Sequence, residues 1–285
     1  MKLPIIAFLL SIFCFSINLK AERYTLGIAV SPHILEVFNQ WTLKQDCWNV
    51  DEFKSKHSSR GAIELVIICK ALHLGGLDVR LDFYPSPNYT RSLVLANQRK
   101  VHIPGETIWK DEIDESIFYV SKPVIDVGEM KKGIFTLGNH PMLDVVKTKQ
   151  DLQKYVGISP NKWTHDWQVI SKLTPQLLNA PSSTAVHKMI AKGRADFTLG
   201  EFNSDMKIGL ENVVLVPIPN MYVSLAQSRH FIVRKDVRNS KLIFLALEKG
   251  LSILKENKFI NKAYTASGFT PAEIANWQDI SVDLE

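Results

Sequence analysis

The chain predicts an α/β fold of two lobes, each a mostly parallel sheet flanked by helices, joined by two extended hinge strands. Three observations carry this expectation. The first half runs strand, loop, helix, strand, helix, strand, the rhythm of a parallel α/β unit. The second half begins a rhythm of its own, and extended segments near 122–128 and 229–234 are placed to run between the two. The expected organisation is a signal segment at 1–21, a first lobe at 22–122, a second lobe at 123–228, and a return to the first lobe over 229–285.

Taken in order, 24–30 (YTLGIAV) is a strand, and Ser31-Pro32-His33 is a loop at its carboxyl end. Apolar positions over 34–48 fall at mixed spacing and specify no single form. The stretch 61–74 is a helix stopped by Gly75-Gly76, and 77–83 alternates apolar and polar residues as a strand does. Pro85 and Pro87 end that strand. A helix from Tyr89 follows, then a short strand at Val101-His102-Ile103 and a turn at Pro104-Gly105. Beyond it, 124–136 is extended, 155–159 is a strand and 163–173 has a helical period. Ser182-Ser183 caps a helix at 184–192. Strands at 195–199, 213–218 and 229–234 lead into helices at 241–256 and 257–266 and a last short one at 271–277.

The 285 residues are 46% hydrophobic, which supports a packed core and argues against disorder. Lys2, the apolar run 3–15 and the small residue Ala21 form a secretory signal cut after Ala21, so a periplasmic protein is expected. Cys14, with Phe13 before it, does not fit a lipid-anchor site. Losing Lys2 and Lys20 lowers the net charge from +5 to +3, and the remaining basic residues are scattered. That pattern gives no nucleic-acid footprint and no membrane patch. Cys47 and Cys69 would meet an oxidising compartment as either a disulfide or two buried thiols, and spacing alone leaves both open. The eight histidines are dispersed without metal-ligand spacing, His140 and His165 read as packing or surface residues, and neither metal nor cofactor is expected.

Five motifs in order resemble the periplasmic solute-binding proteins of type II, the substrate-binding proteins of ABC transporters, nearest the polar amino-acid family. They are Gly61-Ala62-Ile63-Glu64, Tyr89-Thr90-Arg91 leading to Val101, Val120-Ser121-Lys122-Pro123, Asp151-Leu152 with Val156-Gly157-Ile158, and Gly193-Arg194-Ala195-Asp196-Phe197. The resemblance covers nearly the whole chain after the signal. It implies a two-lobe clamp that closes on a small ligand by hinge bending. It also implies a monomer that hands its ligand to an ABC permease or, alternatively, to a membrane sensor. Where the family carries an arginine seven residues before the signature serine, to fork onto a carboxylate, this chain has Asp114. Where the family places an acid for the ligand amine, this chain has Glu201. The family's Gly-Thr turn is replaced by Ser159-Pro160-Asn161-Lys162-Trp163, in which Lys162 at a helix start is placed to meet an anion.

Ligands of open α/β sheets sit at the carboxyl ends of the strands. The expected ligand contacts are therefore Ser31, His33, Tyr84, Thr107, Trp109, Asp114, Asn161, Lys162 and Glu201. Glu106 and Asp111 are further exposed candidates, and Trp109 is the aromatic platform. The acids favour a small polar, amine-bearing ligand. A rival of another class is a cyclohexadienyl-dehydratase-like enzyme on the same fold, with Glu201 and Lys162 as acid and base. No nucleophile or phosphate-loop motif supports catalysis, so the expectation is a binder and not an enzyme.

Overall fold

A computed structural model describes residues 24–53, 60–210 and 212–281 of the protein. The signal segment, its cut after Ala21, Cys14 and residues 54–59 lie outside the described residues.

The first lobe opens with β1 (Tyr24–Val30), α1 (Pro32–Thr42), α2 (Arg60–Leu74), β2 (Val79–Pro85) and α3 (Tyr89–Asn97). It continues with β3 (Ile103–Pro104), β4 (Ile108–Trp109) and β5 (Phe118–Ile125). β2, β1 and β3 form a parallel sheet in that order. α2 is apolar nearly all round, and helices of that kind are buried. Twelve of its residues are buried in the first-lobe core. Cys47 and Cys69 are joined by a disulfide that ties the chain after α1 to α2. The Ser31-Pro32-His33 segment, read as a loop, starts α1 instead: Ser31 Oγ accepts from the Ile34 amide, and Pro32 occupies the first turn, where its missing N–H costs nothing.

The second lobe holds β6 (Lys131–Leu137), α4 (Met142–Val145), α5 (Lys149–Leu152), β7 (Gly157–Ser159), α6 (Thr164–Leu173), β8 (Leu177–Asn179) and α7 (Ser183–Ala191). It closes with β9 (Thr198–Glu201), β10 (Ile208–Leu210) and β11 (Val213–Ser224). Strand order is β10-β11-β6-β9, paired antiparallel, with a parallel β7-β8 pair beside it. The sheet of this lobe is therefore less parallel than expected. The crossing accounts for the antiparallel β6–β11 pair and its counterpart in the first lobe. The chain leaves the first lobe after β5 and returns through the same place into β12 (Arg229–Arg234), so the strands on each side run in opposite directions.

The crossing lies at residues 125–131 and 224–229. There the Gly128 amide donates to Leu225 O at 3.2 Å and the Leu225 amide to Met130 O at 2.9 Å. The expected second hinge strand, 229–234, is instead β12, buried at every residue inside the first lobe.

After β12 come α8 (Ser240–Glu256) and α9 (Phe259–Ala266), both packed in the first-lobe core. A Cβ on Gly250 would sit 1.8 Å from Ala71 O, so α8 crosses α2 in backbone contact that only glycine permits. The final segment then departs from the expected boundary. Gly268, at φ +78, turns the chain toward residues 203–204. Ile274 and Ile280 enter the second-lobe core, and β13 (Gln278–Asp279) pairs with β11. The apolar residues of the tail complete a core that the second lobe leaves open on that side.

Candidate functional site

Between the lobes lies a cavity of about 430 Å³, within the range of small-molecule sites. Its first-lobe wall is built from the start of α2, the α3 entry, the β3–β4 turn and the first residue of β12.

Arg60, the first residue of α2, is the centre of that wall. Its side chain is 7% exposed and touches three carboxylates: Glu64 at 2.8 Å, Glu106 at 3.0 Å and Glu201 at 3.2 Å. Glu201 ends β9 in the second lobe, so this last contact is an ion pair across the cleft. Glu64 is wholly buried and also accepts from the Thr107 amide (2.8 Å), Thr107 Oγ1 (2.7 Å) and the Tyr264 hydroxyl (3.2 Å). Burial works against the Arg60 charge, but Glu201, Glu64 and Glu106 outweigh it and raise its pKa well above the ordinary arginine value. Burial likewise opposes ionisation of Glu201, and Arg60, then Lys132 and Arg229, hold its carboxyl below the usual range nonetheless. Glu106 goes the other way: burial, reinforced by Glu64 and Glu201, pushes it up against the pull of Arg60.

Arg229 is the second guanidinium and has a different environment. It is 3% exposed, and its partners are neutral: Thr107 Oγ1 at 2.9 Å and the Thr107 carbonyl. Its Cζ lies 4.3 Å from the centre of the Trp109 ring and 5.5 Å from that of Tyr89. Among the described residues it makes no ion pair and no hydrogen bond through Nη1. Burial and the neighbouring Arg60 charge lower its pKa from the ordinary value. A buried cation held by dipoles and aromatic faces, without a carboxylate, is a ready partner for an anionic group. Tyr89 is fixed beside it by its hydroxyl, which bonds the Glu112 carboxylate and accepts from the Trp109 amide.

The second lobe contributes Lys132, paired with both oxygens of Asp166 at 2.8 and 2.7 Å, and His165. His165 is buried, faces the Trp109 ring at 4.5 Å and contacts Asp111 of the first lobe at 3.2 Å. Arg60–Glu201, Asp111–His165 and the Trp109–His165 ring contact thus span the cleft.

Of the expected contacts, Trp109, Lys162 and Glu201 line this cavity. Thr107 is not exposed; it is fully buried behind the wall, where it serves Glu64 and Arg229. Ser31 caps α1 and His33 is exposed on that helix, because the chain turns helical at once after β1. Tyr84 faces a separate polar groove with His102 and Asp82. Asp114 is exposed and accepts from the Ser116 amide at 2.9 Å, closing a turn on the outer surface. Asn161 is exposed, with its amide bonded to Asn179. Arg60, Arg229, Tyr89 and Asp166 were missed. A charged pair four apart at the start of the apolar helix, Arg60 and Glu64, was the available signal for a buried ion network. Among the described residues no group of three metal-binding side chains occurs, and no helix is long and apolar enough to cross a membrane.

This architecture is the two-lobe substrate-binding-protein fold. Solved structures that share it include the probable amino-acid ABC transporter extracellular-binding protein ytmK of Bacillus subtilis, at 15% identity and TM-score 0.58, covering 87% of this chain and 100% of that one. Substrate-binding domain 2 of Lactococcus lactis GlnP, in an open conformation, is 13% identical at TM-score 0.53, covering 88% and 98%. An ancestral amino acid-binding protein, a precursor of cyclohexadienyl dehydratase, is 17% identical at TM-score 0.51, covering 86% and 94%. No family model matches the chain, and no curated protein matches it. At these identities the likeness establishes the fold.

Proposed function

We propose that this is a periplasmic solute-binding protein that captures a small zwitterionic, amino-acid-like solute in the interlobe cavity and delivers it, as a monomer, to an ABC-type importer. The observation that carries the reading is Arg229, a buried guanidinium in the cavity wall without a carboxylate partner among the described residues. It receives the solute carboxylate, with Trp109 and Tyr89 flanking the contact. The solute amine lies toward Glu201 and Glu106, whose carboxylates each offer lone pairs beyond those used by Arg60. The fold shared with amino-acid-binding proteins supports the same solute class. Closure brings Arg60 to Glu201 and His165 to Asp111, and Arg60, Glu201 and His165 line the cavity.

A thermal-shift panel of L-amino acids, amines and dicarboxylates tests the reading. Ligand at one hundred times its Kd adds about 2.7 kcal/mol, roughly 5–10 °C for a chain of this size. A shift with amino acids and none with either other class is expected. A shift with dicarboxylates alone refutes the zwitterion assignment.

A further inference from the structure

We propose that the second-lobe end of the cavity is a subsite for a neutral hydrogen-bond donor at the far end of the solute, with His187 Nε2 as its acceptor. The inference rests on the amino-acid-like reading above and specifies the side chain such a solute carries.

His187 stands one turn into α7. Ser182 caps this helix by accepting from the Ala185 amide at 3.2 Å, which fixes the first turn. His187 Nδ1 lies 3.0 Å from the Ser183 carbonyl. A carbonyl only accepts, so Nδ1 carries the proton, and in the neutral ring Nε2 is left as an acceptor. The residue is 7% exposed and lines the cavity together with Ser183 and Val186 of its own helix. Among the described residues Nε2 is buried with no hydrogen-bond partner. Native structures leave few buried polar atoms unpaired, because each forfeits its hydration for nothing. An unpaired acceptor in the wall of a ligand cavity is accounted for when the ligand supplies the donor.

The surroundings set the chemistry of that donor. Val186, Ile208 and Leu210 line the cavity as well, so the solute reaches His187 through an apolar stem. Among the described residues no carboxylate pairs with the ring. The cavity carboxylates are held elsewhere: Glu106 and Glu201 by Arg60, Asp166 by Lys132, and Glu112 by Tyr89. A cationic tip placed against a neutral imidazole in an apolar end would lose its hydration without a counter-charge. A neutral donor, such as a phenol, an indole N–H or a primary amide, forms the missing bond without that penalty. His187 thus acts as a specificity residue for the side chain, separate from the head-group contacts of Arg229.

The test is calorimetric titration of the purified protein with two matched pairs, L-tyrosine against L-phenylalanine and L-glutamine against L-methionine, repeated on His187→Phe. The expected result is that the donor-bearing member of at least one pair binds about tenfold tighter. In H187F that preference falls to within about twofold. Equal affinity within both pairs, or a preference that survives in H187F, overturns the subsite and leaves the amino-acid reading standing. Binding of no amino acid at all removes both. A second measurement does not depend on the variant folding. In ¹⁵N-histidine spectra of the wild type, Nδ1 of His187 is the protonated nitrogen, and the tighter ligand of the pair shifts Nε2 toward the hydrogen-bonded value. A protonated Nε2, or no shift on saturation, overturns the proposal.

Discussion

Replacing Glu64 with leucine probes the ion network on which the cavity wall is built. Glu64 is wholly buried on an apolar helix, and its two oxygens take bonds from Arg60, from the Thr107 amide and hydroxyl, and from Tyr264. Leucine restores most of the volume, so the cavity contribution is small. What remains is a buried Arg60 that has lost one of three carboxylates, and a buried Thr107 amide without an acceptor. Breaking one partner of a buried pair costs roughly 3–5 kcal/mol. Glu106 and Glu201 still compensate Arg60, which puts the loss at the lower end, about 3 kcal/mol, or some 6–12 °C in Tm for a chain of this size. Calorimetric melting with urea unfolding measures it. The companion Arg60→Met also leaves Glu106 and Glu201 without their cation, so the double variant is expected to lose less than the sum of the two singles while staying below the wild type. A loss under about 1 kcal/mol, or a double variant as unstable as the sum of the singles, would refute the claim that these charges depend on each other.

Glu201→Gln removes the charge across the cleft. Because Glu201 is one-third exposed, stability changes by no more than about 1 kcal/mol, while small-angle scattering of the unliganded protein is expected to show a larger radius of gyration; an unchanged radius counts against the Arg60–Glu201 pair holding the lobes together. Acid titration followed by carboxyl ¹³C shifts should show Glu106 taking its proton above the ordinary glutamate range and Glu201 below it. The signs follow from the shifts. The depressed Glu201 contributes stability above the unfolded-state value that is lost as pH falls through its folded one, whereas the raised Glu106 costs stability as pH rises past the unfolded-state value. The reverse order of titration would contradict the assigned environments. Substituting Cys47 and Cys69 together by alanine opens a loop of sequence separation 22, and a loss of about 3 kcal/mol by urea unfolding is expected; no loss would mean the bridge constrains little.

The sequence carried the fold further than it carried the site. Strands 24–30 and 229–234 coincide with β1 and β12 because each is a sharply bounded apolar run. The helix read at 61–74 differs from α2 only by Arg60. That one residue mattered, because Arg60 closes the polar stretch 51–60, which has no apolar periodicity to mark the guanidinium on which the wall turns. Arg229 was counted as strand, and nothing local in RHFIVR distinguishes an arginine that faces a cavity from one that faces solvent. Such a site is assembled from long-range neighbours: Arg229 meets Thr107 across 122 positions and Arg60 meets Glu201 across 141. Loop residues at strand ends were the natural candidates, but Ser31 and Asp114 satisfy their own backbone instead. The tail was misassigned because a short segment of 271–281 has too few apolar residues to reveal which core it completes.

The most direct test of the central claim, that Arg229 receives the carboxylate of an amino-acid-like solute, is calorimetric titration of wild type and Arg229→Met with common L-amino acids and with the corresponding amino-acid amides. At least one amino acid is expected to bind the wild type, with its amide roughly a hundredfold weaker and both forms weak in R229M, as loss of a charge-assisted bond predicts. An amide that binds as tightly as its acid, or an R229M variant that keeps full affinity, would contradict the account.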